Sequence, residues 1–419
     1  MNNNWKYIPF SELFQWAGKS SIKSGDGKTE GKYKMFVCSD TEIKRYDEYL
    51  ENKASLIFGT GGKASCHIAN EPFAYSTDCA VAQAKNNQTF LKFYYYFLRK
   101  ERLGDLQRTF TGSGLQHTSK KKIGALLVPI IDYEEQERIV ARIEELFSQL
   151  DAGVETLKKT KAQLAVYRQA VLKEAFEGRF TTDWRKVHPE SSPMKDFESI
   201  AIKNPVYKDT AGDENELHLT LPKGWMRLRI GDVFPVEVGS TPSRRVSEYW
   251  NGTVNWVSSG EVHFNHIYKT EERITENGLS HASTKVHPIG TIMLAMIGEG
   301  KTRGQAAILE IPAAHNQNTA AILVSTTPCQ PKYLYYFLQM NYENTRRVGS
   351  GNNQKALNKE RVRALRFPFP SFAEQYEIVE AIESRLSVCD SIEHTVDTSL
   401  LQAQAMRQRI LKDAFEGRL

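Results

Sequence analysis

The chain has 419 residues, of which 40% are hydrophobic and 11% aromatic, which is enough for two or three globular domains. Its five cysteines form no CxxC pair, a pattern that argues against a zinc knuckle and against a disulfide framework. The formal net charge is only +5, MNNNWKYIPF lacks a signal-peptide pattern, and the apolar runs are too short to cross a bilayer, so we expect a cytoplasmic protein without membrane association.

The N-terminal third is predicted to form a mixed α/β domain. The segments ASLIFG at 54–59 and AYSTDCAVA at 74–82 favour strands, and NQTFLKFYYYFLRKERL at 87–103 favours a helix. The spacing of the aromatic residues in this helix is more typical of a core face than of a base-stacking surface. TGSGLQHTSKKKIG at 111–124 follows as a glycine loop with three lysines, which suits close approach to a phosphate chain.

One segment occurs twice, because residues 132–180 align with residues 371–419 without a gap. Both copies end in AFEGR followed by Phe or Leu, and both hold apolar residues three or four positions apart, which predicts a long amphipathic helix of roughly 68 Å. Such helices most economically bury their apolar seams on each other. Two unrelated helices are the alternative, but the signals that start and end each helix repeat as well.

Each copy carries one residue pattern that starts the helix and one that ends it. Asp132 with Glu135, and Ser371 with Glu374, match the capping box that opens a helix. A glycine in each AFEGR segment lies where a left-handed residue would end the helix.

The remaining chain consists of a linker and a second domain. Residues 181–222 are polar and contain prolines without clear periodicity, which is typical of a linker. The next domain resembles the first more loosely than the helices resemble each other: YYFL occurs at 95–98 and 335–338, and VGSGNNQKALNKERV at 348–362 parallels the first glycine loop. A shared scaffold with different loops suggests two modules that differ in what they recognise.

Positive charge is concentrated in the two domains. Residues 1–131 hold 19 Lys and Arg against 12 Asp and Glu, a balance of +7, and residues 223–370 hold 18 against 11, also +7. The repeated segments carry −2 (8 against 10) and −4 (5 against 9). This distribution is expected if both domains meet phosphates.

Three enzymatic or metal-binding interpretations are weak. AMIGEGKT at 295–302 is close to a nucleotide-binding P-loop, but a P-loop must open a helix, and the following RGQAAILEIP favours a strand. His263 and His266 could share a metal, although no third ligand is evident. NPVY at 204–207 resembles a methyltransferase motif but lies in the linker without its companion motif. We therefore expect a non-catalytic chain.

LPKGW at 221–225, the GSTPSR…YWNGTVNWVSSGE run at 239–261, GSGNNQKAL at 349–357 and the repeated helices carry a family resemblance. With them, the whole chain resembles the DNA-specificity (S) subunits of type I restriction-modification systems. The resemblance implies α/β (α+β) domains alternating with two long helices in an antiparallel coiled coil, with an internal pseudo-two-fold repeat. The implied organisation is recognition domain 1 at 1–131, spacer helix 1 at 132–180, a linker at 181–222, recognition domain 2 at 223–370 and spacer helix 2 at 371–419. The first domain opens with NNNWKYIPF instead of LPKGW, so its match is looser.

The resemblance also implies a function. Each domain would read one half of a bipartite target in double-stranded DNA, while the helices set the spacing and dock two methyltransferase subunits. Restriction subunits, which are ATP-dependent translocases and endonucleases, are further expected partners. Catalysis would belong to those partner chains, so we expect S-adenosylmethionine, ATP and Mg on them and no cofactor or metal here. The alternative is a coiled-coil scaffold that does not bind DNA, which the basic domains disfavour.

Candidate DNA-binding residues are the polar and basic side chains of the predicted loops, because base edges are read by such groups while Lys and Arg hold phosphates. In the first domain these are Lys63, Gln116, His117, Lys120, Lys121 and Lys122. In the second domain they are Ser243, Arg244, Arg245, Ser259, Lys301, Arg303, Asn352, Asn353, Gln354 and Lys355.

Overall fold

The computed structural model describes residues 5–202, 219–298, 300–347 and 357–419. The chain divides into two compact units. Unit 1 comprises Met1–Lys161 with His394–Leu419, and unit 2 comprises Ala162–Glu393. Each unit therefore contains one globular domain and a part of both long helices.

The strands fall into two sets of similar length. In unit 1 they are β1 (Lys6–Pro9), β2 (Phe14–Trp16), β3 (Tyr33–Phe36), β4 (Ile43–Tyr46), β5 (Ser55–Gly59), β6 (Cys66–Ala69), β7 (Phe73–Tyr75), β8 (Cys79–Ala84) and β9 (Leu127–Ile130). In unit 2 they are β10 (Met226–Arg229), β11 (Val236–Val238), β12 (Trp250–Val257), β13 (Asn265–Ile267), β14 (Glu272–Ile274), β15 (Ile292–Ala295), β16 (Ala306–Leu309), β17 (Ala314–His315), β18 (Thr319–Ile322) and β19 (Arg366–Phe369).

Short helices connect the strands, and two long helices follow the domains. They are α1 (Phe10–Leu13), α2 (Leu91–Arg99), α3 (Gly104–Gln107), α4 (Lys120–Gly124), α5 (Tyr133–Phe176), α6 (Thr182–Val187), α7 (Pro193–Ile200), α8 (Ile230–Val233), α9 (Glu276–Ser280), α10 (Pro331–Met340), α11 (Tyr342–Arg347), α12 (Lys359–Ala364) and α13 (Phe372–Phe415).

Unit 1 is built on a four-stranded sheet of order β2-β8-β5-β6 and a three-stranded sheet of order β4-β3-β7. Side chains alternate along β5, as the pleat of a strand requires. Leu56 and Phe58 lie in the main core with Phe93 of α2, and Ile57 lies in a second core with Phe36 of the smaller sheet. The larger sheet is thereby covered on both faces.

Unit 2 repeats this arrangement. Its sheets have the orders β11-β18-β15-β16-β13 and β14-β12-β17, so only the edge strand β13 is added. β12 and β17 are parallel, as are β3 and β7 in unit 1. Ile292 and Leu294 of β15 face the main core, whereas Met293 and Ala295 face the second core. The predicted shared scaffold is confirmed.

The long helices pack against each other in antiparallel orientation. In unit 1, Lys161 pairs with Asp397 at 2.6 Å and Asp151 pairs with Arg407, so rising residue numbers on α5 meet falling numbers on α13. In unit 2, the Arg168 guanidinium lies 2.6 Å from Asp390. Arg168 and Asp390 are the repeat equivalents of Arg407 and Asp151, so the same ion pair is made once in each unit. The predicted antiparallel coiled coil is confirmed.

Both long helices end as their sequences predict. Gly178 and Gly417 have φ values of 69° and 76°, the left-handed conformation that glycine adopts without a steric penalty. The Arg179 amide then donates to the Glu174 carbonyl, and the Arg418 amide donates to the Asp413 carbonyl. Each helix therefore stops at its AFEGR segment.

The predicted capping boxes form only in part. The Ser371 hydroxyl accepts the Glu374 amide at 3.3 Å, as predicted. The Glu374 carboxylate, however, does not reach back to the helix start, because it is buried and accepts hydrogen bonds from Thr181, Arg185 and Trp225. Its repeat equivalent Glu135 forms an ion pair with Arg138 instead.

Paired glutamines attach each domain to its long helix. The Gln136 side-chain oxygen accepts the Phe90 amide at 2.8 Å, just before α2, and the Gln375 oxygen accepts the Gln330 amide at 3.1 Å, just before α10. Aromatic residues of the AFEGR segments complete the attachment. Phe415 packs on Phe93 and Phe97 of α2, and Phe176 packs on Tyr333 and Phe337 of α10.

Three segments hold more structure than the sequence indicates. The predicted linker contains α6 and α7, and the segment 74–82 holds two strands separated by a turn. The lysines of the first glycine loop form α4, because the Ser119 hydroxyl accepts the Lys122 amide and caps a short helix. Among the described residues, no helix has the length and apolar character needed to cross a membrane.

Candidate nucleic-acid interface

Three loops of unit 1 meet at the ends of β5 and β8. They are the hairpin loop 60–65, the strand turn 76–78 and the glycine loop 111–118. The Thr60 amide donates to the Asp78 carbonyl at 2.9 Å, and the Thr118 amide donates to the Thr60 carbonyl at 2.9 Å. A residue of the hairpin loop thus joins the strand turn to the glycine loop, and we call the three loops together the loop cluster.

Unit 2 builds its loop cluster with the same bonds. Its hairpin loop is 296–305 and its strand turn is 316–318. The Met296 amide donates to the Asn318 carbonyl, and the Leu357 amide donates to the Met296 carbonyl, both at 2.9 Å. Leu357 directly follows the glycine-loop residues 348–356, which lie outside the described residues, and so do the candidates Asn352, Asn353, Gln354 and Lys355.

The structure brings together most of the residues predicted in unit 1. Lys63, Gln116 and His117 are exposed and come from two neighbouring loops, because the Gly62 amide donates to the Gln116 carbonyl at 2.8 Å. Lys122 is exposed and reaches the Thr111 hydroxyl at the start of the glycine loop. This group presents amide, imidazole and ammonium donors at one surface.

The other two lysines of α4 differ from each other. Lys121 is exposed. Lys120 donates to the Ala17 carbonyl at 2.9 Å and lies over the Trp16 ring, and burial lowers the pKa of its ammonium, with repulsion from Lys19 adding to the effect. Lys120 therefore holds α4 on the domain.

Arg244 and Arg245 occupy different environments in unit 2. The Arg244 guanidinium forms two parallel hydrogen bonds with the Glu272 carboxylate and lies 3.8 Å from the centre of the Trp250 ring. These contacts hold the loop after β11 in place and direct the guanidinium toward Glu272. Arg245 is exposed beside it and remains the better placed of the two for DNA.

The remaining predicted residues of unit 2 lie in two places. Lys301 is exposed and Arg303 is half-buried, and both belong to the hairpin loop. Ser243 is exposed in the loop after β11, and its carbonyl accepts the Trp250 indole N–H. Ser259 lies in a short 3-10 turn that the Glu261 carboxylate closes by accepting the Ser258 amide. No hydrogen bond among the described residues places Ser259 in the loop cluster.

The strand turn of unit 2 carries polar residues that the sequence analysis missed. The Thr241 hydroxyl donates to the Gln317 side-chain oxygen at 2.6 Å, which fixes the orientation of an exposed amide. A side-chain amide can pair with the N6 and N7 positions of adenine. The signal was present as NQN at 316–318 between two short strands, at the place that STD at 76–78 occupies in unit 1. Its meaning depended on knowing which strand ends meet.

The histidine pair and the P-loop-like segment have other structural roles. Among the described residues, no group of three His, Cys, Asp or Glu side chains could hold a metal ion. The His266 ring instead lies 2.6 Å from Glu310. The AMIGEGKT segment leads from β15 into β16, as predicted, so it does not open the helix that a P-loop requires.

Comparison with known proteins is consistent with this arrangement. A model of the type I restriction modification DNA specificity domain matches residues 2–165 and 222–402. The specificity subunit of the type I restriction enzyme EcoBI from Escherichia coli is 24% identical over 377 residues, covering 87% of this chain and 73% of that protein. The specificity subunit of EcoDI, also from Escherichia coli, is 22% identical and covers 99% of this chain and 89% of that protein.

Solved structures share the fold. A chain from a study of complex assembly and conformational transition of the type I R-M system has a TM-score of 0.68 at 15% identity, covering 100% of this chain and 99% of that one. The HsdS subunit from Thermoanaerobacter tengcongensis has a TM-score of 0.59 at 16% identity, covering 100% and 98%. Since the family model spans most of the sequence in two copies, the chain belongs to the type I restriction-modification DNA specificity family.

Proposed function

We propose that this chain is the DNA specificity subunit of a type I restriction-modification complex and that each unit reads one half of a bipartite target. The observation that carries the proposal is the loop cluster, which both units build with the same two backbone hydrogen bonds at the same strand ends. Both domains also carry an excess of positive charge. A basic scaffold with polar side chains at one surface matches what phosphate contact and base reading require.

The two clusters differ where readout would occur. The hairpin loop of unit 1 is TGGKAS, whereas that of unit 2 is MIGEGKTRGQ, four residues longer. The strand turns also differ, with Asp78 in one and Asn318 in the other at the bonded position. Because the base edges in the major groove are told apart by donor and acceptor pattern, different loops on one scaffold would select different half-sites.

The proposal assigns the chemistry to partner chains. The relatives are named as specificity subunits of restriction enzymes, and the long helices of this chain carry polar outer faces on which two modification subunits could dock. Restriction subunits would join the same complex. Methyl transfer and ATP-driven cleavage, with their S-adenosylmethionine, ATP and Mg, would reside there, and this chain would contribute no catalytic group.

Methylation mapping tests the proposal. The chain is co-expressed with its candidate modification subunit, and methylated positions across a genome are mapped by single-molecule sequencing. We expect one bipartite motif with a fixed unspecified gap, and exchange of residues 1–131 for those of a relative should change only one half. An intact complex that methylates no motif would favour the scaffold alternative and overturn the proposal.

A further inference from the structure

A second feature of unit 1 lies outside the loop cluster. A cavity of about 730 Å³ opens between β3, β4 and the end of β6. Its volume is within the range of small-molecule and cofactor sites. Three cations line it, Lys32, Lys34 and Arg45, against one carboxylate, Glu71. The cavity is therefore positively charged.

The cations lie on one face of the smaller sheet. Lys34 is directly opposite Arg45 in the antiparallel pairing of β3 and β4, and both side chains are exposed. Like charges directly opposite each other destabilise a sheet, so an anion between them would relieve the repulsion. The equivalent position of Lys34 in unit 2 is Asn255, opposite Arg273, so the charge pair is specific to unit 1.

Neighbouring cations of the same domain are already neutralised. Lys28 lies 2.6 Å from Asp47, and Arg99 lies 2.7 Å from Asp40. Neither Lys34 nor Arg45 forms an ion pair with a carboxylate among the described residues. The cavity thus retains the charges of Lys34 and Arg45 and that of Lys32, which lies over the Tyr33 ring, while Asp47 and Asp40 pair two cations nearby.

The cavity wall also carries flat apolar groups. The Phe36 ring packs at 5.3 Å from the His67 ring and at 5.6 Å from the Phe73 ring, and Tyr95 of α2 lines the same space. The Phe36 and Phe73 rings are buried, so they support the charged face of the sheet from below.

The wall of the cavity continues to the loop cluster. The His67 ring lies within hydrogen-bond distance of the Ser39 carbonyl, at 2.6 Å, and the Cys38 thiol donates to the Gly61 carbonyl of the hairpin loop at 2.7 Å. The segment after β3 therefore contacts both the cavity and the hairpin loop.

We propose that this cavity binds backbone phosphates of DNA next to the half-site read by unit 1. The inference rests on the proposed function and deepens it, because it adds a phosphate-binding site that no base-reading loop provides. Lys34 and Arg45 hold the phosphates. This contact fixes the register of the domain on DNA and carries no sequence information.

Charge removal tests the site. The variant K34Q/R45Q, in complex with the modification subunit, is titrated with a fluorescent 40-base-pair duplex that contains the mapped motif, at several salt concentrations. We expect the slope of log affinity against log salt to become less steep by about 2, with an affinity loss of roughly ten- to hundredfold at 0.1 M salt and an unchanged methylated motif. Neutral methylphosphonates placed beside the first half-site should weaken binding of the parent complex and have no effect on the variant.

Two controls separate charge from folding. K34R/R45K keeps both charges and should retain the slope of the parent complex. K28Q removes the neighbouring cation that Asp47 neutralises and should leave the slope unchanged. An unchanged slope in K34Q/R45Q, a loss that K34R/R45K shares, or a changed motif would overturn the inference. If the parent complex has no sequence preference, the proposed function fails instead.

Discussion

Glu374 shows how a single residue acquires a role that its repeat equivalent lacks. Its carboxylate is 3% exposed and accepts hydrogen bonds from the Thr181 hydroxyl at 2.7 Å, the Arg185 guanidinium at 2.5 Å and the Trp225 indole at 2.9 Å. A buried charge is tolerated only with such partners. Glu135, at the same place on α5, is 39% exposed and pairs with Arg138. The carboxylate of Glu374 therefore holds the segment before α6 and the start of the second domain on α13.

Glu374→Gln should destabilise unit 2. The substitution leaves the Arg185 guanidinium without its counter-charge in a largely dry site, which we expect to cost about 3 kcal/mol of unfolding free energy. Urea unfolding followed by tryptophan fluorescence measures it, because Trp225 contacts the carboxylate. The matched control Glu135→Gln should change stability by less than about 0.5 kcal/mol, since exposed pairs contribute little. Equal losses in the two variants would contradict this account.

The burial of His315 predicts that the stability of unit 2 falls in acid. The ring is fully buried and lies 3.1 Å from the His287 ring, and burial, with repulsion from His287, lowers the pKa of His315 to about 3. The unfolded chain, with an ordinary histidine pKa near 6.5, binds one more proton between about pH 3 and 6.5. Stability should therefore be fully present above pH 6.5 and fall by about 1.4 kcal/mol per pH unit below it.

Urea unfolding at pH 7.0, 6.0 and 5.0 checks this dependence. His315→Gln should lower stability at pH 7 and flatten the decline toward acid. A parent chain with constant stability from pH 7 to pH 5 would contradict the assignment.

The exposure of some candidate side chains could be predicted from the sequence, but the contacts of others could not. The exposure of Lys63 and Gln116 could be predicted because glycine-rich loops expose neighbouring side chains. The contacts of Arg244 could not be predicted, because Glu272 and Trp250 reach its guanidinium only through the pairing of β12 with β14. Gln317 was missed for the same reason, since the position of a three-residue turn on the surface depends on how its flanking strands pair. Whether these side chains contact DNA stays a prediction.

At the scale of elements, local signals predicted the long helices well. Their apolar spacing and terminal glycines act within a few residues, and the ends of α5 and α13 lie within a few residues of the predicted limits. The sheets depended on distant pairings: β3 meets β7, and β12 meets β17, across long stretches of chain. Periodicity alone could indicate the strand β5 but not its neighbours.

Alanine substitution of two glycines, one inside α5 and one just after its C-terminal end, should change stability in opposite directions. Gly153 lies inside the helix, and a Cβ there would meet no atom within 4 Å, so Gly153→Ala should stabilise unit 1 by about 1 kcal/mol. Gly178 has φ of +69°, and a Cβ there would lie 2.3 Å from Pro222, so Gly178→Ala should destabilise unit 2 by about 2 kcal/mol or more. Thermal unfolding of the two variants measures the signs. Destabilisation by Gly153→Ala would show that the position is packed more tightly than the structure indicates.

At the scale of the whole molecule, each loop cluster is held together by hydrogen bonds within its own unit. Every hydrogen bond that joins the loop cluster of unit 1 lies within unit 1, and the same holds for unit 2 among the described residues. We therefore expect changes in one cluster to act independently of changes in the other. The free-energy effects of distant substitutions without shared partners usually add.

Additivity is therefore the expected behaviour of Gln116→Ala in unit 1 and Gln317→Ala in unit 2. Each should weaken binding of the methyltransferase complex to its target about tenfold and relax methylation in one half of the motif only, because each removes one amide that we expect to contact a base edge. The double variant should lose about a hundredfold, the product of the two. Lys195→Gln, on α7 outside both clusters, serves as the control and should bind as the parent does. A double variant no weaker than either single one, or a single variant that relaxes both halves, would show that the units do not read DNA independently.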